Sequence, residues 1–151
     1  MAELNSAQAA LVAAGSKIKH CDHGKAEFVV ITTPATFAEL AIDDTIASGQ
    51  IIPKGSRILS VWKGHGTGTA SSTLDIGLRK RDGTVVDADG LSALTTLTTA
   101  TTIDLSVGTG ALVAAGKDYV TADDVEVYCT VKGAVLAANQ DVRITVEYVG
   151  P

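Results

Sequence analysis

Apolar and polar residues alternate with a period of two through most of the chain after Lys25. Leu74, Ile76 and Leu78 alternate with Thr73, Asp75, Gly77 and Arg79, and Ile103, Leu105 and Val107 with Thr102, Asp104 and Ser106. Val125, Val127, Cys129 and Val131 alternate with Glu126, Tyr128, Thr130 and Lys132. Val142, Ile144, Val146 and Tyr148 stand against Arg143, Thr145, Glu147 and Val149. This is the pattern of a strand with one face on a core and the other in water. The earlier run AEFVVITT is apolar on both faces until Thr32. Turn signals separate the runs: Asp82-Gly83, Asp89-Gly90, Gly108-Thr109-Gly110, Gly133 and Asn139. Short strands with no long helix between them predict an all-β fold, an antiparallel β-sandwich or barrel. The threonine-rich stretch Thr95–Thr102 leads at once into the alternation at Ile103 and reads as strand or strand edge.

Before Lys25 the pattern differs. Asn5 or Ser6 is placed to cap a short helix over Ala7–Ala14, and Gly15 to end it. One or two turns are marginal alone. Residues 1–24 therefore read as an N-terminal arm, partly helical at most, and residues 25–151 as the sandwich domain.

The stretch QIIPKGSRILSVWKG, Gln50 to Gly64, holds the only tryptophan, Trp62. Pro53 and Gly55 predict a turn at the start of a strand, where proline costs no ladder hydrogen bond. Strict alternation beyond it sends Ile58 and Trp62 one way and Leu59 and Val61 the other. A strand apolar on both faces needs its second face covered, by the same chain or by another subunit.

Composition narrows the function. The chain has 151 residues, enough for one domain, with 46% hydrophobic and 19% charged residues. A net charge of −5 and no basic cluster longer than Arg79-Lys80-Arg81 argue against nucleic acid as a partner. The Ala7–Ala14 run is too short to span a bilayer and is preceded by Glu3, so neither a membrane anchor nor a secretory signal is expected. Two cysteines, Cys21 and Cys129, do not make a disulfide framework, and free thiols fit synthesis in a reducing cytoplasm.

Candidate chemistry is sparse. His20, Cys21 and His23 are metal-ligand types, but neighbours this close do not all reach one ion, and a solvated loop is the simpler reading. GTGALVAAGKD has one residue too many between its glycines for a phosphate loop, and Asp118 stands where a hydroxyl is needed. GHGTG leads into a strand, not a helix, and reads as a hairpin loop. VVDADG lacks the first acid and the bidentate glutamate of a calcium loop and reads as a turn. No Gly-x-Ser-x-Gly elbow is present. The expectation is a protein that is not an enzyme and holds no cofactor or metal.

The order of segments carries a resemblance. A short start (MAELNSAQAALVAAG) is followed by a first strand (KAEFVVIT), then DDTIASGQIIPKGSRILSVWKG, then SSTLDIGL. A glycine- and threonine-rich middle leads to DVRITVEYVGP. This resembles the small decoration, or cement, proteins of tailed bacteriophages. In these an Ile/Leu-Pro-x-Gly-x-x-Ile/Leu stretch precedes a strand and a Thr/Ala-Leu-x-Ile/Val-Gly strand follows. Residues Asp82–Thr101 match no pattern of that family. The resemblance implies a jelly-roll sandwich made in the host cytoplasm and placed on the exterior of the virion. It further implies the major capsid protein as partner and self-association as a dimer or trimer. Leu4, Leu11 and Val12 of the arm and Leu59, Val61, Trp62 and Tyr128 of the body are the candidate interface residues. A receptor- or carbohydrate-binding sandwich of a phage fibre or tail is the alternative, which calls for exposed aromatic platforms although aromatics make up only 4% of the chain.

Overall fold

A computed structural model describes residues 25–104, 110–113 and 119–151. The proposed arm lies outside the described residues, as do His20, Cys21, His23, Leu105 and Val107. Among the described residues nine strands follow in order: β1 (Ala26–Thr32), β2 (Thr45–Ile52), β3 (Arg57–His65), β4 (Thr73–Lys80), β5 (Val85–Thr96), β6 (Thr101–Asp104), β7 (Tyr119–Val120), β8 (Val125–Lys132) and β9 (Val142–Val149). No helix occurs among the described residues.

The strands form two antiparallel sheets. The first has the order β1-β9-β3-β6, with β7 also paired to β3, and the second the order β2-β8-β4-β5. The pairings nest: first strand with last, second with next to last, β3 with β6 and β4 with β5. A long hairpin rolled up in this way, with sheets packed face to face, is a jelly roll. The expected all-β sandwich of jelly-roll type is therefore what the chain forms.

The alternation seen in the sequence places the core. Val29, Ile31, Ile58, Val61, Ile144 and Val146 come from the first sheet. They meet Ile52, Leu74, Ile76, Leu78, Val125, Val127, Cys129 and Val131 from the second. The Pro53–Ser56 turn carries the chain from one sheet to the other. Gly55 has φ +84°, as the third position of a type II turn requires, and the Ser56 N–H donates to the Pro53 carbonyl at 3.2 Å. Thr121 holds this corner: its hydroxyl donates to the Pro53 carbonyl at 2.7 Å, and its N–H to the Ser56 carbonyl at 2.9 Å.

Two local expectations need correction. Gly64–Gly68 is not a hairpin loop, because β3 and β4 lie in different sheets and the segment crosses the end of the sandwich. His65 belongs to β3 itself. Asp89-Gly90 is not a turn but lies within β5, where the ladder to β4 slips. Leu78 pairs with Asp87 and Ile76 with Ser92, so β5 carries three more residues than β4 over that step. The surplus folds onto the sheet: a Cβ on Gly77 would lie 2.3 Å from the Ala88 carbonyl oxygen. Only glycine admits that approach.

Two substitutions test this packing. Ile76→Asp puts an unpaired charge among fully buried residues and is expected to abolish folding, read as loss of the β-type circular dichroism spectrum. Gly77→Ala is expected to cost about 1–3 kcal/mol in denaturant unfolding, because the β5 bulge must move to admit the methyl group.

Buried acids, Cys129 and Tyr148 foremost, set a dependence on alkaline pH. Burial pushes the Cys129 thiol from 9.0 up to about 12. Burial, and then the hydrogen bond to Glu27, push the Tyr148 phenol from 10.0 up to about 12. A folded-state pKa above the unfolded one gives stability that is present below the unfolded value and is lost as pH rises towards the folded one. Melting temperature should hold level to about pH 8.5 and fall above it, each group contributing about 1.4 kcal/mol per pH unit while it titrates only in the unfolded chain. Lys63, its pKa lowered by burial, acts in the opposite sense below 10.5. Cys129→Ala should move the onset of the decline up towards pH 10, and an unchanged onset would refute the assignment to the thiol.

Candidate interaction surface

The strand that carries Trp62 departs from strict alternation. Along β3, Ile58 pairs with Tyr148 and Ser60 with Glu147, so Leu59 is an extra residue in a β-bulge. Parity reverses there. Ile58 and Val61 both enter the core, while Leu59 and Trp62 are 40% and 43% exposed. Leu59 and Val61 therefore do not share a face, and Val61, at 1% exposure, has no surface to offer a partner. Tyr128 is also closed off, at 4% exposure.

Cross-strand register builds the outer face of the first sheet. Glu147 lies between Phe28 on β1 and Ser60 on β3, and Thr145 lies between Val30 and Trp62 in the next row. Phe28 is 55% exposed, and Val120 on β7, the cross-strand partner of Arg57 on β3, is 49% exposed. The Trp62 indole N–H donates to the Ser60 hydroxyl at 3.0 Å, and that hydroxyl donates to Glu147 Oε2 at 2.8 Å. This chain fixes the indole against the sheet with its ring partly open to solvent. The result is a set of exposed apolar side chains, Phe28, Leu59, Trp62 and Val120, on the outer side of the first sheet about Glu147, and grouped exposed apolar residues often mark a contact surface.

The outer face of the second sheet is its opposite. The Arg79 guanidinium lies 5.2 Å from the Tyr128 ring centroid and makes an ion pair with Glu126 at 2.8 Å. Glu126 Oε1 accepts the Gly49 N–H at 2.7 Å, and Asp75 Oδ1 accepts the Leu94 N–H at 2.7 Å. Burial raises the Tyr128 pKa, with Arg79 opposing. The β5 bulge covers Gly77, the cross-strand partner of Tyr128, and this is why a residue on a nominally water-facing position is buried.

Other polar groups are engaged structurally. At one end of the sandwich Lys54, Lys80, Arg81, Asp82, Asp123 and Asp124 line a shallow groove. Lys80 pairs there with Asp123 at 2.8 Å, and Asp124 accepts the Lys54 N–H at 2.9 Å. Lys63 points inward and donates to the Thr96 carbonyl at 2.7 Å. The Gly66 carbonyl oxygen accepts a hydrogen bond from His65 Nδ1–H at 2.7 Å. No group of three or more His, Cys, Asp or Glu side chains among the described residues is placed to hold a metal ion.

Of the seven candidate interface residues, then, Leu59 and Trp62 lie on an open surface, Val61 and Tyr128 are buried, and Leu4, Leu11 and Val12 lie outside the described residues. Phe28, Ser60 and Glu147 were not singled out from sequence. The signal for Phe28 was present, since AEFVVITT is apolar on both faces.

The fold and this surface together define a jelly-roll sandwich whose first sheet presents Phe28, Leu59 and Trp62 outward, while the second buries Tyr128 and leaves Leu94 and Val85 of β5 exposed. No protein-family model matches the chain, and no curated protein does. Among solved structures, a chain from the capsid of Ralstonia phage GP4 is similar with a TM-score of 0.63 at 18% identity, over 85% of this chain and 86% of that one. A chain from the cyanophage Pam1 capsid asymmetric unit has a TM-score of 0.49 at 19% identity, over 100% of both chains. The first likeness establishes a shared fold.

Proposed function

We propose that this protein is a structural component of a phage virion, a decoration protein that binds the outer surface of the assembled shell and bridges neighbouring coat subunits. The observation that carries the reading is the open apolar face on a jelly-roll body whose fold is shared with a chain of a phage capsid. A clamp needs a stiff body and a surface that seats on a neighbour, and needs no pocket. Residues 1–24 form the arm in this reading and the sandwich forms the body. The major capsid protein is the partner, and the protein associates with itself as a dimer or trimer. A contact of ordinary size covers about 800 Å² per partner. Self-association makes later contacts intramolecular and raises avidity by a factor of about 10² to 10⁴. A ligand that binds only the assembled lattice stabilises that lattice by mass action.

Purified protein mixed with undecorated expanded shells is expected to cosediment at a fixed stoichiometry and to raise the temperature at which the shells break. Trp62→Ala is expected to weaken binding at least about tenfold, as loss of a central aromatic contact does. Protein that remains in the supernatant, or that localises to a tail or fibre by microscopy, would refute the proposal.

One observation favours a second reading. The Trp62 ring beside the Ser60–Glu147 pair is an aromatic platform with hydrogen-bonding groups at its edge, an arrangement that suits a sugar ring. In that case a glycan array gives specific hits, and Trp62→Ala abolishes them while leaving sedimentation with shells unchanged.

A further inference from the structure

The four sheet edges differ in how they are protected. An exposed strand edge is a template for further pairing, and proteins blunt edges with bulges, short strands or charges. β5 slips against β4 at three places. β2 carries surplus residues between Ala47 and Ile51, with Gly49 at φ +68°. Along the edge of β3, β6 and β7 pair at two separate places, so that edge is not one continuous strand among the described residues. β1 has none of these devices. It pairs with β9 one to one from Ala26 to Thr32 without a register shift, and contains no proline and one charge.

The hydrogen-bond parity of β1 follows from its end. The Thr33 N–H donates to the Val142 carbonyl at 3.0 Å, next to the Thr32–Arg143 pair. Bonded and non-bonded pairs alternate in an antiparallel ladder, so Glu27, Val29 and Ile31 turn their main-chain groups towards β9. Ala26, Phe28, Val30 and Thr32 turn theirs to the open edge.

We propose that this edge pairs antiparallel with the β1 edge of a second copy, about a two-fold axis at Val29, so that the two first sheets become one. In this register Phe28 lies opposite the partner's Val30 and Ala26 opposite the partner's Thr32. All four are residues whose N–H and C=O groups point outward, which gives about eight main-chain hydrogen bonds across the seam. The outer face matches too. Phe28, more than half exposed in one copy, packs beside Val30 of the partner subunit, which joins the outer faces of the two first sheets across the seam. The edge is complementary to itself in both hydrogen bonding and side-chain character, and this selects a second copy over an unrelated strand.

This inference rests on the self-association within the proposed function, but it is read on free protein and stands or falls apart from shell binding. Light scattering and sedimentation of the full chain should show a concentration-dependent rise from 15.4 kDa to twice that mass. Amide exchange at Phe28 and Val30 should slow as the dimer forms, while Val29 and Ile31 stay protected throughout. Val30→Pro removes an outward N–H and leaves the β9 ladder intact. It should keep the β-type spectrum and weaken dimerisation at least about tenfold. If Val30→Pro does not fold, Phe28→Lys serves as the second variant with the same expected loss. A monomer at every concentration overturns the proposal. So does a dimer unaffected by the variant that folds. Protection of Phe28 and Val30 independent of concentration overturns it as well, since residues preceding β1 would then cover the edge.

Discussion

β9 hydrogen-bonds on both sides at once, to β1 across seven residue pairs and to β3 across eight, and the first sheet has no centre without it. Its inward residues Val142, Ile144 and Val146 are almost wholly buried. The pairing Ala26 with Val149 joins positions near opposite ends of the described chain. Until that closure occurs, β1 has no strand beside it and β3 has only β6 and β7, so the second sheet lacks the complete partner it packs against. Such non-local pairing incurs its loop-closure cost before its contacts form, which makes topologies of this kind slow to fold.

The two outer faces follow from how each sheet treats its surplus residues. In the second sheet the surplus of β5 folds over the surface, and Arg79, Glu126 and Asp75 complete the cover with hydrogen bonds. In the first sheet the single surplus residue, Leu59, stays at the surface and leaves Trp62 beside it. The second sheet thereby covers Gly77 and Tyr128, with Leu94 and Val85 of β5 left exposed, while the first keeps a hydrogen-bonded tryptophan on its outer face. The proposed contact surface is a product of where bulges fall, not of any added loop.

Much of this architecture was legible in the sequence. The alternation in β4, β8 and β9 placed Leu74, Val127 and Val146 in the core, and Asp82-Gly83 marked the β4–β5 turn. β2 was harder to read, since Gly49 and mostly exposed positions leave it without a hydrophobic period. The Leu59 bulge was invisible, because a bulge is defined by the opposite strand and not by its own residues. The same holds for Asp89-Gly90, whose turn-like composition forms a bulge against β4, and for Tyr128, buried by residues that lie far off in sequence. Local pattern reports which faces a strand has; what covers them is decided by other strands.

The place of β9 in chain order has a consequence for synthesis. At about 5–20 residues per second, the interval between the emergence of β3 and of β9 is on the order of ten seconds. In that interval the β4–β5 hairpin forms locally and β8 completes the second sheet, while β1 and β3 still lack the strand that belongs between them. The nascent chain thus carries a finished half-sandwich and two apolar ribbons with a strand-wide gap. The last strand enters as a wedge between elements already made, and the ribosome sets the time at which the roll can shut.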